Sequence, residues 1–153
     1  METKEFRSKF SVLMKGRGFK KRGAVWMRPN GVGLSDLLYL QRSYYSEQYY
    51  LEIGKWLHRI HQEYPDLAGL SWDLNGRVES FCKFDKEILD LIEDDFDGKR
   101  MLLIGEVLDT VDEAFWNRFR TEEDVIAHAK KWEWGKSQMP LTGPTLRIFV
   151  HGA

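Results

Sequence analysis

A chain of 153 residues, 42% hydrophobic and 31% charged, has the size and balance of one globular domain that buries a core without staples. One cysteine, Cys82, excludes an internal disulfide, and no apolar run approaches the ~18 residues that cross a bilayer. The N-terminus Met1-Glu2-Thr3-Lys4-Glu5-Phe6 is charged, without the apolar core of a signal peptide, so the expected location is cytoplasmic, with no membrane partner.

Residues Thr3 to Lys15 read as a helix, because Phe6, Phe10, Leu13 and Met14 fall on one stripe and Gly16 suits the stop. Four extended segments follow: Gly18 to Lys21, Ala24 to Arg28, Leu37 to Arg42 and Tyr49 to Trp56, with Pro29-Asn30-Gly31 and Ser43 to Gln48 between them. They read as an antiparallel meander. In the last of them Tyr49, Leu51 and Ile53 point one way and Tyr50, Glu52, Gly54 and Trp56 the other. One sheet face is thus expected against helices, the other dressed with rings and charged tips.

Between Leu57 and Leu70 the pattern is ambiguous, either a short helical turn or an excursion between strands. Ser71 to Phe84, around Asn75-Gly76, reads as a further strand or hairpin. Asp85 is a plausible N-cap for a helix carrying Ile88, Leu89, Leu91 and Ile92, broken at Asp94 to Gly98. A longer helix carries Met101, Ile104, Leu108, Val111 and Phe115. Thr121 and Asp124 resemble a capping box opening a helix with Val125, Ala129 and Trp132. Gly135 to Pro144 reads as a loop, and Thr145 to His151 alternates as a terminal strand. The expected architecture is one α+β domain over residues 1–153. Its antiparallel meander of about four to six strands is packed on one face by an N-terminal helix and a C-terminal helical segment.

A formal charge of −1 hides two opposed blocks. Met1 to Arg42 holds ten Lys and Arg against three Asp and Glu; Asp85 to Glu113 holds eleven Asp and Glu against three Lys and Arg. Either the protein has a basic face open to an acidic partner, or the blocks neutralise each other across the fold.

Signatures of chemistry are sparse. Glu93 to Gly98 imitates the start of a calcium loop, but its twelfth position is Ile104 rather than a bidentate Glu, so an acidic loop is the simpler reading. His58 and His61 stand three apart with no third ligand nearby in sequence. Cys82, between Phe81 and Phe84, reads as a small hydrophobe. No nucleophile elbow, phosphate loop or dinucleotide fingerprint occurs. Neither a cofactor nor a metal is expected, and Glu52 is assigned to a cross-strand pair with an Arg. The distinctive grouping is Lys20, Lys21, Arg22, Arg28 and Arg42 among Trp26, Tyr39, Tyr44, Tyr45, Tyr50 and Trp56. Such a grouping serves core packing, a protein interface or single-stranded nucleic acid. A pI near 6.4 counts against the last.

The run Gly18-Phe19-Lys20-Lys21, Trp26, Arg28, Asn30-Gly31, Leu40-Gln41-Arg42-Ser43 and Tyr49-Tyr50-Leu51-Glu52-Ile53-Gly54, followed by Gly76-Arg77-Val78, resembles a bacterial family, domain of unknown function 4304. The likeness covers roughly Met1 to Ser80 and implies a compact α+β domain, with no activity, cofactor or catalytic residue to carry over. The expected function is a non-catalytic module that binds another protein, as an immunity or antitoxin factor does. Its contact candidates are Lys20, Lys21, Trp26, Arg28, Gln41, Arg42, Tyr50 and Arg77. The alternatives are single-stranded nucleic-acid binding through the same face, or an enzyme with a dispersed site around Glu52, Arg77 and a histidine.

Overall fold

The computed structural model describes residues 1–61, 65, 71–93, 96–131 and 140–152. Outside the described residues lie most of the ambiguous segment before Leu70, Asp94 and Asp95 of the acidic loop, and Trp132 with most of the loop expected before Pro144. The chain opens with helix α1 (Thr3–Gly16) and continues through strands β1 (Lys20–Arg22), β2 (Val25–Pro29), β3 (Leu34–Arg42) and β4 (Tyr49–Leu57). Strand β5 (Leu74–Arg77), helices α2 (Arg100–Ala114) and α3 (Glu122–Lys130), the short strand β6 (Leu141–Thr142) and helix α4 (Pro144–His151) complete it. The six strands form one antiparallel sheet in chain order.

Period-2 alternation distributes the sheet's side chains as the sequence indicates. Leu38 lies opposite Ile53 and Leu40 opposite Leu51, and these pack with Phe6, Phe10 and Met14 of α1 and Ile104, Leu108 and Val111 of α2. The opposite face differs from expectation. Trp56 does point away from the helices, yet it is buried in a second, small core with Val25, Leu37 and Trp72. It also stacks on His61 at 3.7 Å between ring centres. Its indole is therefore part of the packing, because Trp72 arrives from sixteen residues along the chain to cover it.

Two further expectations are corrected. The residues after Asp85 form only a 3-10 turn, Lys86–Leu89, capped by the Asp85 side chain. The chain then straightens where Leu91 donates to the Glu47 carbonyl and Asp90 bridges to Gln48, which competes with helical hydrogen bonds. Thr145 to His151 is helical, not a strand: Pro144 occupies the first turn, where its missing N–H is harmless. The capping box at Thr121 is present with both reciprocal bonds.

Buried Arg100 holds the 87–93 segment, its guanidinium donating to the carbonyls of Glu87, Ile88, Asp90 and Glu93. His128 is buried beside the Phe119 edge with Nε2 2.8 Å from the Pro140 carbonyl. Burial holds its pKa below the ordinary value near 6.5. As pH falls below that value the unfolded chain takes up this proton before the folded chain does, so stability is lost on acidification. The melting temperature is expected to fall between pH 7 and 5, and His128→Gln, which keeps a donor for Pro140, is expected to flatten part of that slope.

Candidate functional site

β3 outruns its neighbour. Pairing between β2 and β3 ends at Val25 opposite Tyr39, so Leu40, Gln41 and Arg42 project past β2. The β1–β2 hairpin turns just there, through Gly23 at a positive φ of 61°. The result is a notch of about 340 Å³ between this hairpin, the end of β3 and the flank of α1. Arg7, Phe10 and Ser11 line it from α1, Lys21 and Ala24 from the hairpin, and Trp26, Tyr39, Leu40, Gln41, Arg42 and Tyr44 complete it.

Each cation has a defined position. The Arg7 Nε donates to the Tyr49 hydroxyl at 3.3 Å, Lys21 Nζ stands 6.0 Å from the centre of the Trp26 ring, and Arg42 pairs with Glu47 at 2.6 Å. Both partners of that last pair are about 40% exposed, so it is weak and open to exchange with another carboxylate. Among the described residues, neither Arg7 nor Lys21 has a carboxylate within ion-pair distance. Trp26 forms the floor, 4% exposed and edge-on to Phe10. Tyr44 and Tyr45, on the adjoining turn, are 94% and 98% exposed.

The contact candidates separate into three places. Lys21, Trp26, Gln41 and Arg42 meet at the notch. Lys20, Tyr50 and Arg77 belong to the opposite sheet face, where Arg77 pairs with Glu52 at 2.8 Å and lies 4.6 Å over the Tyr50 ring. Arg28 leaves the proposed surface altogether. Its guanidinium bonds Asp36 and Asp112 and sits over Phe19 and Trp116. Burial opposes its charge, but bonding and attraction to Asp112 and Asp36 raise its pKa above the ordinary value. Arg17 likewise pairs with Asp109 and Asp112, so part of the basic block is neutralised by the acidic one. The pair expected for Glu52 is present. Arg7 and Ser11 were legible but passed over: spaced by four, they flank the Phe6–Phe10 stripe on one side of the helix.

Deeper in the fold, Asp36 and Lys55 face each other across β3 and β4, both fully buried, with Nζ 2.6 Å from Oδ1. Burial holds the ammonium below the usual lysine range, against the pull of Asp36. Asp73 is also fully buried; it accepts from the Leu57 N–H and contacts His61 at 2.9 Å. Burial raises its pKa, opposed by those contacts. The described histidines bond Ser35, Asp73, Pro140 and Ala129 respectively, and none of those bonds reaches Glu52 or Arg77. Among the described residues no group of three His, Cys, Asp or Glu is placed to hold a metal, and no helix is long and apolar enough to cross a membrane.

The fold and notch define an α+β protein with a basic, ring-lined cleft at one end of an antiparallel meander. The chain belongs to the family described as domain of unknown function, DUF4304, which it matches over residues 10–128. No curated protein and no solved structure matches it significantly.

Proposed function

We propose that this protein is a non-catalytic binding module whose notch takes up an acidic, extended segment of another protein. Three cations, one each from α1, β1 and β3, ring a cleft with a buried Trp floor, and that observation carries the reading. The segment's carboxylates meet Arg7, Lys21 and Arg42, while its apolar side chains reach Trp26, Leu40 and the exposed Tyr44. Arg and aromatic anchors of this kind concentrate binding energy at protein interfaces. A single strand of nucleic acid needs a row of open ring faces for stacking; Trp26 and Trp56 are both buried, which leaves Tyr44 and Tyr45 of the adjoining turn as the open rings beside the notch.

A displayed peptide library panned on the wild-type protein tests this. Asp- and Glu-rich sequences are expected to be enriched, and Arg7→Ala and Arg42→Ala are each expected to weaken the best of them about tenfold, the scale of a hydrogen bond to a charged group. Enrichment without acidic bias, affinity unchanged in both variants, or tighter binding to oligothymidine than to any peptide would reject the proposal.

A further inference from the structure

Away from the notch, on the opposite face of the sheet, a second depression of about 380 Å³ lies beneath β1. Lys20 and Arg22, two residues apart, both lie on this face of the strand, opposite Met27 and Val25 of β2. Met27 and Pro29 form its apolar wall, and Lys21, Ser35 and His58 complete the described lining. Ser35 is only 3% exposed, and its Oγ lies 2.8 Å from His58 Nε2. His58 is exposed and fixed at its own main chain, where its N–H donates to the Gly33 carbonyl at 3.0 Å. Among the described residues, no carboxylate lines the depression.

Lysines on an edge strand have a sufficient explanation in protection against edge-to-edge pairing. That explanation needs neither the hydroxyl–imidazole pair among them nor an apolar wall beside it. We propose that this depression is a binding site for a small organic phosphate monoester. The phosphate sits between Lys20, Arg22 and the Ser35 hydroxyl, and the organic part lies against Met27 and Pro29. In the tautomer with the ring hydrogen on Nε2, His58 donates to Ser35 Oγ, which turns the serine O–H toward the ligand. A volume near 380 Å³ is in the range of small-molecule sites. Lys21 borders both this depression and the notch, their one shared lining residue among those described, and the assignment does not rest on the function proposed for the notch.

Phenyl phosphate is the probe, read by NMR of the histidine rings and by calorimetry. Titration is expected to move the His58 ring signals. Ser35→Ala is expected to weaken binding about tenfold, as the loss of a hydrogen bond to a charged acceptor does. Lys20→Ala, at an exposed position that leaves the fold alone, is expected to weaken binding severalfold and to reduce its salt dependence. His58 signals that stay fixed up to about 10 mM probe, weaker than the millimolar affinities of modest ligands, would overturn the assignment. So would unchanged affinity in both variants, or perturbation confined to Trp26 and Tyr44 at the notch.

Discussion

Asp36→Ala is expected to lower folding stability by about 3–5 kcal/mol, the range for leaving one partner of a buried ion pair alone. The Asp36 carboxylate accepts from Lys55 Nζ, Arg28 Nε and Nη2, and Asn30 Nδ2, all at 2.6–2.9 Å. Those donors belong to β2, β4 and the β2–β3 turn, and Arg28 carries the network on to Asp112 of α2. Removing the carboxylate strands a fully buried ammonium beside a guanidinium. The double variant Asp36→Leu with Lys55→Met removes both charges at similar volume and is expected to recover most of the loss, since buried pairs often exchange for apolar residues at little net change. Urea unfolding of the three proteins measures this; a single-variant loss below about 1 kcal/mol, the scale of an exposed pair, would refute it.

The same pair gives a pH test with a definite sign. The folded-state pKa of Lys55 lies below its ordinary value of 10.5. Between the two values the unfolded chain holds a proton that the folded chain has shed, so the Lys55 contribution to stability rises with pH in that window. Without Asp36 the folded-state value drops further and the window opens downward. Asp36→Ala is therefore expected to regain stability relative to wild type as the buffer moves from pH 7 to pH 9.

Much of this arrangement was legible and part of it was not, for reasons local to particular residues. Alternation in Tyr49 to Leu57 assigns Lys55 to the face of Leu51 and Ile53, so its burial follows from parity alone. The partner does not, because Asp36 reaches Lys55 only through the β3–β4 register. Trp26 and Arg28 share a face with Leu38 by that same logic, which is why a patch built from residue types along β2 mixed floor, interior and rim. The stripe of α1 and the capping box of α3 depend on neighbours three and four residues away, and both were readable. Thr145 to His151 was not: Leu146, Ile148 and Val150 alternate, but Ile148 and Phe149 are exposed at 59% and 44%. Leu146 of that helix is buried in the core and Val150 packs at its margin. The notch arises from a length mismatch between β2 and β3, and no single residue announces it.

Gly54→Ala is expected to be the most damaging single-methyl change among the glycines of the sheet strands. Gly54 lies within β4, between Leu37 of β3 and Asn75 of β5. A Cβ there would stand 2.4 Å from Trp72 Cε3 and 2.6 Å from the Leu74 carbonyl oxygen. The indole is fully buried and the carbonyl belongs to the neighbouring strand, so neither can yield cheaply. The Gly54 carbonyl also accepts the Trp116 indole N–H at 3.2 Å, which ties the strand to the far side of the sheet. Overpacking costs 1–3 kcal/mol in ordinary cores; with a main-chain atom in the way the expected loss is about 3 kcal/mol or more, a fall of roughly 6–12 °C in Tm for a chain of this length. Trp72→Leu in the Gly54→Ala background should return part of that loss, because residues in contact couple. Gly16→Ala, where nothing lies within 4 Å of the added carbon, should instead leave stability unchanged or raise it by up to about 1 kcal/mol. Near-UV circular dichroism separates the cases: the Gly54 variant loses the fixed environment of Trp56 and Trp72, the Gly16 variant keeps it. A Gly54→Ala protein within about 1 kcal/mol of wild type, well under the overpacking range, would mean that Trp72 does not lie against this strand.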